Sequence, residues 1–233
     1  MAKYPLVLVP ALGSDERLWQ PVIDRLDGVT CAVIRGAGDS VEAMAESILA
    51  EAPDEFHLAG ISMGGYVSLE LALRRTGRVR SLALLNTSAA AAAPERRESS
   101  LKVIELARTG AFDQAVGLVS AGVAPGHPDV VEVAARMSHD LGAEVFIDHQ
   151  LAVLNRRDRT EEVAELDLPT LVLVGAADGI VSPALGGDLA ARVPNAELVT
   201  LDGVGHLCTL EDPERVAQTI QGWLARTEGR VER

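Results

Sequence analysis

The sequence predicts an α/β fold: a mostly parallel sheet of about six strands with helices on both faces and one helical insertion. Three observations predict it. Short runs of Val, Ile and Leu recur between segments of helical periodicity, and they are apolar throughout rather than alternating, as strands buried on both faces of a parallel sheet are. Recognisable helix starts follow several of these runs. A length of 233 residues with 48% hydrophobic residues is ample for a real core.

In chain order the expected strands lie at 5–9, 29–34, 55–59, 79–85, 170–174 and 197–201. Helix starts are expected at Ser14 before Asp15-Glu16, at Ser40 before Val41-Glu42, and at Asp212-Pro213-Glu214, where the Asp caps and the Pro fills the first turn. The beat breaks after Leu85, because residues 94–165 carry helical patterns and no buried strand. Helices are expected there at about 94–108, 112–121, 128–141 and 144–154, punctuated by Gly110, Pro125-Gly126 and Gly142. The chain therefore divides into a core, 1–93 with 166–233, and a helical lid, 94–165, inserted between the fourth and fifth strands. In that position the lid is expected to cover the carboxyl ends of the strands, where open α/β sheets bind ligands. The alanine run 89–93 leads into it, and the polar tail 227–233 is expected to fray.

Charge and composition narrow the function. With 34 Asp and Glu against 21 Lys and Arg, the net charge of −13 repels phosphate backbones and argues against nucleic acid as a partner. The basic clusters, Arg74-Arg75 with Arg78 and Arg80, and Arg156-Arg157 with Arg159, read as solvated helix ends or loops. The early apolar run at 5–9 with Ala11-Leu12 is too short to span a bilayer and makes a poor secretory signal, so a cytoplasmic protein without membrane attachment is expected. Cys31 and Cys208 form no CxxC and read as core or pocket thiols. No His pair has helical metal spacing and the glycines around Ser62 make no phosphate loop, so neither metal nor cofactor is implied.

Chemistry concentrates in Phe56-His57-Leu58-Ala59-Gly60-Ile61-Ser62-Met63-Gly64-Gly65, which reads strand, Gly-x-Ser-x-Gly, helix. Glycines two before and two after the serine suit a turn so tight that side chains there would meet neighbouring backbone, with Ser62 strained and its Oγ exposed. A serine nucleophile needs a histidine base and an acid to orient it. His206, in Asp202-Gly203-Val204-Gly205-His206-Leu207 after the last strand, is the expected base; His57, His127, His139 and His149 read as structural or at most pocket wall. Asp178, following the strand at 170–174, is the expected acid, with Asp202 the rival, read as a turn residue. The backbone N–H groups of Met63 and Leu12 are the expected oxyanion donors, with Ala11 second to Leu12; Pro10 has no N–H to give. Lid residues Met137, Phe146, Ile147 and Leu151 could line an acyl pocket, but their helical spacing reads first as lid core.

On these residues the chain resembles the α/β-hydrolase superfamily over nearly its whole length: the serine elbow, the helical insertion, an Asp after the penultimate strand and a Gly-His before a Pro-containing last helix, in the order Ser62, Asp178, His206. The resemblance implies an α/β-hydrolase fold and acyl transfer by that triad. Two features depart from it: Pro10-Ala11 stands where members commonly carry His-Gly, and the chain begins at the strand before that loop, so the family's N-terminal hairpin is expected to be missing. Leu12-Gly13 with Asp15 and Trp19, the Ser62 segment, and Leu85-Asn86-Thr87-Ser88-Ala89 are similar to 3-oxoadipate enol-lactone hydrolases and to small esterases alike. The expected function is hydrolysis of a small carboxylic ester. The alternatives are an enol-lactone hydrolase, a lyase or carbon–carbon bond hydrolase on the same triad, or a small-molecule binding protein with little turnover. The expected partner is a small ester or lactone, and the sequence leaves monomer and homodimer open.

Overall fold

The computed structural model describes residues 2–231. Six strands, β1 (Leu6–Val9), β2 (Cys31–Val33), β3 (Phe56–Ile61), β4 (Val79–Leu85), β5 (Thr170–Gly175) and β6 (Ala196–Leu201), form one sheet in the order β2-β1-β3-β4-β5-β6. Every neighbouring pair is parallel. The helices are α1 (Gln20–Ile23), α2 (Val41–Glu51), α3 (Met63–Leu73), α4 (Pro94–Arg108), α5 (Phe112–Val123), α6 (Pro128–Asn155), α7 (Pro183–Arg192), α8 (Cys208–Glu211) and α9 (Pro213–Val231).

Period-two alternation sorts the strand side chains into two cores. Val7 and Val9 of β1 pack with Met44 and Ile48 of α2 and Val67 of α3 on one face. Leu6 and Leu8 pack with Trp19, Val22 of α1 and Ile220 and Trp223 of α9 on the other. Strands β1, β3 and β5 are buried throughout, and β4 nearly so, as continuous apolar runs predict. The edge strands correct that expectation: β2 is half-buried, and Glu197, Leu198 and Thr200 of β6 face outward. A strand with one neighbour has less helix to cover it.

Local signals explain the helix boundaries. Ser40 Oγ accepts the Ala43 N–H at the start of α2, and Asp212 Oδ1 accepts the Arg215 N–H at the start of α9. The expected start at Ser14 is corrected: Ser14 is buried, and Asp15 caps a short 3-10 turn at Glu16–Leu18 instead. Helices α4 to α6 occupy the chain between β4 and β5; Gly142, at φ 83°, breaks α6 into the two helices the sequence separates there. Their shared apolar cluster includes Val103, Val116 and Phe146. The expected fray at 227 is also corrected. Helix α9 continues through Val231, Thr227 is buried, and Glu228 accepts the Lys3 N–H; residues 232–233 lie outside the described ones. Among the described residues no helix is long and apolar enough to cross a membrane.

The sheet order places a switch between β1 and β3, whose outgoing connections run to opposite sides. Ligands bind outside the carboxyl ends of strands at such a point, and the loop containing Leu12 and the turn containing Ser62 flank it.

Candidate active site

Ser62 sits between β3 and α3 at φ 55°, ψ −117°, a conformation that side chains rarely adopt. Its neighbours explain how the turn is tolerated. A methyl group on Gly60 would collide with the Gly64 carbonyl, and one on Gly64 would collide with the carbonyls of Val9 and Pro10. The helix thus begins hard against the end of β1, and only glycine fits. The Ser62 N–H donates to Leu85 O at 2.9 Å, and its carbonyl accepts from Thr87 Oγ1 at 2.9 Å, so β4 pins the turn from the side.

The three side chains singled out in the sequence meet here. His206 Nε2 is 2.9 Å from Ser62 Oγ, and His206 Nδ1 is 2.8 Å from Asp178 Oδ2. His206 and Asp178 are buried while Ser62 is half-buried, so Ser62 Oγ is the accessible end of the chain of contacts. Asp178 Oδ1 accepts the N–H groups of Ile180 (2.8 Å) and Val181 (3.0 Å), which fixes the carboxylate and leaves Oδ2 for the imidazole. With Nδ1–H donating to Asp178, Nε2 is left to accept the Ser62 proton. The rival Asp202 stays in the turn, where its carbonyl accepts from Arg215.

Two residues to which the sequence reading gave no role hold the His206 loop. Asn86, buried at φ 45°, donates through Nδ2 to the carbonyls of Gly205 (2.9 Å) and His206 (2.8 Å) and accepts the Gly175 N–H at 2.7 Å. One amide therefore ties the ends of β4 and β5 to the histidine loop. Glu211 of α8 accepts the N–H groups of Gly205 (2.6 Å) and Leu207 (3.0 Å). Carbonyls on one side and N–H groups on the other are all satisfied, as buried backbone requires.

The candidate oxyanion donors, the N–H groups of Met63 and Leu12, donate to no other group among the described residues. Met63 is the first residue of α3, where the helix dipole favours negative charge. The Leu12 loop is held from α6: the Gly13 N–H donates to His149 Nδ1 at 3.0 Å, and Ser138 Oγ donates to Gly13 O at 3.0 Å. Burial, with a smaller push from the Arg35 charge, lowers the His149 pKa to about 4, so the imidazole is neutral and able to accept. A histidine read in the sequence as structural thus braces the loop that carries Leu12.

Two cavities open on Ser62. The larger, about 430 Å³, is lined by Ser62 and His206 below and by Val103, Leu118 and Ser138 from the helices above. The smaller, about 140 Å³, runs from Ser62 past Tyr66 to Arg156. Met137, Phe146, Ile147 and Leu151 line neither cavity, and Met137 and Phe146 are fully buried in packing. Cys208 is buried and Cys31 half-buried, both free thiols, and burial raises both pKa values, that of Cys31 to about 11. Among the described residues no three His, Cys, Asp or Glu side chains gather to hold a metal ion.

A family model described as the alpha/beta hydrolase family matches residues 6–219. The chain is 27% identical over 234 residues to the pimeloyl-[acyl-carrier protein] methyl ester esterase of Yersinia enterocolitica, covering 92% of this chain and 91% of that protein. Its fold superposes on a thermophilic esterase from Thermogutta terrifontis, solved with malate bound, at a TM-score of 0.86 and 28% identity, covering 97% and 91% of the two chains. It also superposes on the enol-lactonase of Burkholderia xenovorans LB400 at a TM-score of 0.84, covering 96% and 92%; at 22% identity that likeness is one of fold.

Proposed function

The chain belongs to the alpha/beta hydrolase family, and on that premise we propose that it hydrolyses small carboxylic esters through an acyl-enzyme on Ser62. The observation that carries the proposal is the unbroken line of contacts from Ser62 Oγ through both nitrogens of His206 to Asp178, ending on a serine held at positive φ. The esterases among its relatives support the same reaction class.

In the first half-reaction Ser62 Oγ attacks the ester carbonyl and its proton passes to His206 Nε2. The carbonyl oxygen becomes an oxyanion that accepts from the Leu12 and Met63 N–H groups. Collapse breaks the bond to the alcohol oxygen, which takes the proton from His206. In the second half a water molecule gives its proton to His206, attacks the acyl carbonyl, and the Ser62 oxygen recovers that proton as the acid leaves. Asp178 holds the imidazole orientation and offsets the charge it carries in each half. A lactone follows the same steps, with acid and alcohol remaining in one molecule. In this reading the helical segment 94–165 acts as the lid, excluding water from the cavity over Ser62.

The test is hydrolysis of a short-to-long series of p-nitrophenyl esters by the wild type and Ser62→Ala side by side. Turnover that falls by several orders of magnitude in the variant supports the proposal. Equal rates in both proteins overturn Ser62 as nucleophile, and absence of turnover on esters and lactones alike overturns the hydrolase reading in favour of a binding protein.

A further inference from the structure

The surroundings of Ser62 invert the charge of the rest of the molecule. The chain carries a net charge of −13, yet among the described residues no Asp or Glu lines either cavity at Ser62. Two arginines do. Arg96 of α4 lines both cavities and forms no ion pair or hydrogen bond among the described residues. Arg156, just past α6, lines the smaller one, where its guanidinium stacks 4.2 Å from the Tyr66 ring centre and donates to the carbonyls of Ala90 (2.9 Å) and Val153 (2.7 Å). Among the described residues no carboxylate lies within ion-pair distance of it. Asp158 acts on it only from further off, and its oxygens already accept the N–H groups of Thr160 and Ala91. The contrast with nearby cations is sharp. Arg159 pairs with Glu70 and Glu162, and Lys102, also on the larger cavity, pairs with Glu98 at 2.8 Å.

Two unneutralised guanidiniums beside one another in a half-buried arm repel, and the arrangement is stabilised when an anion arrives between them. Burial and the Arg96 charge both act against the charge on Arg156, lowering its pKa, while arginine remains charged at neutral pH. The reaction geometry says which half of a substrate reaches them. His206 must give its proton to the departing alcohol oxygen, and His206 lines the larger cavity only. The alcohol therefore leaves through the larger cavity and the acyl group fills the smaller arm. We propose that the substrate is an ester or lactone whose acyl part carries a second, free carboxylate, held in the smaller cavity by Arg156 and Arg96.

This inference rests on the Ser62 hydrolase reading, so its test separates the two. Monomethyl esters of succinate, glutarate and adipate are compared by acid release with methyl butanoate, pentanoate and hexanoate, pairs matched in chain length and differing in the terminal carboxylate. At low salt the best anionic ester is expected to exceed its neutral partner in kcat/KM by about ten- to a hundredfold, the range for one charge-assisted contact. Arg96→Gln, which removes a side chain without a protein partner, is expected to cut that ratio about tenfold; Arg156→Lys, which keeps charge but loses the planar fork, is expected to cut it less. Ratios near one in the wild type, or a ratio unchanged in both variants, overturn the proposal. A preference only for anions on the alcohol side, read with methyl-capped acyl groups, overturns the assignment of the arm. Should no ester be turned over in a Ser62-dependent way, calorimetric titration with glutarate still decides the anion site: binding that Arg96→Gln weakens supports it, and no binding overturns it.

Discussion

Lowering the pH should destabilise this protein through His149 in a way that one substitution can isolate. His149 is 1% exposed, accepts the Gly13 N–H through Nδ1 and leaves Nε2 without a partner. Burial lowers its pKa from 6.5 to about 4. In the unfolded chain the imidazole takes up a proton below about pH 6.5, whereas in the fold it stays neutral down to about 4, so the unfolded state binds more protons across that window. Stability from this group is therefore complete above pH 6.5 and is lost as the pH falls towards 4. At pH 5 the two states differ over about 1.5 pH units, worth about 2 kcal/mol at ~1.4 kcal/mol per unit. In a chain of this size that corresponds to a Tm lower by roughly 4–8 °C.

The assay is thermal unfolding of the wild type and His149→Gln at pH 8 and pH 5. Glutamine can still accept from Gly13 but does not titrate. Between the two pH values the wild type is expected to lose about 4–8 °C more than the variant. His57, whose pKa is also lowered, mainly by burial, acts in both proteins and cancels in the comparison. Parallel losses in the two proteins would refute the assignment of a neutral, buried His149 bracing the Leu12 loop.

Three further substitutions probe the positioning groups. Asn86→Asp places an oxygen where Nδ2 donated to the carbonyls of Gly205 and His206; unfolding should show a loss of about 2–4 kcal/mol, with kcat falling more than KM changes. Glu211→Gln sets an amide N–H against either the Gly205 or the Leu207 N–H; denaturant titration should show a cost of about 2 kcal/mol, and unchanged stability would remove the clamp from the account. Asp178→Asn should let the imidazole settle in the wrong tautomer, with kcat on the best ester down by about 10³- to 10⁴-fold and the fold intact by circular dichroism.

What was legible in the sequence had a local signature. Ser62 stands between glycines that close backbone approach requires, His206 follows Gly203, whose φ is positive, and Gly205, which lies against the Glu211 carboxylate, and Gly142 marks the break in α6 because its φ is positive. Asn86 and Glu211 had no such signature for the opposite reason. They bind backbone, and a backbone group carries no residue type; Asn86 meets its loop partners about 120 positions along the chain. The exposure of β6 was hidden because an apolar run reads the same at an edge as in the middle of a sheet, and only the strand order puts β6 last.

The arginines at 156, 157 and 159 carry the same lesson to function. As a sequence cluster they read as one solvated basic patch, but where α6 ends the chain turns and sends them apart. Arg159 is turned inward to Glu70, Arg157 is exposed, and Arg156 lies on Tyr66 facing the arm beside Ser62. Tyr66 is itself fixed by the serine turn, one helical turn into α3, so the tight elbow that positions Ser62 also sets where the guanidinium rests. A charge pattern along the chain cannot report that partition, because what decides it is which cation meets a carboxylate and which of the others turns into the cavity rather than to solvent. Arg157, without an ion pair among the described residues, points to solvent, and Arg156, also without one, is the cation left facing the arm for a ligand.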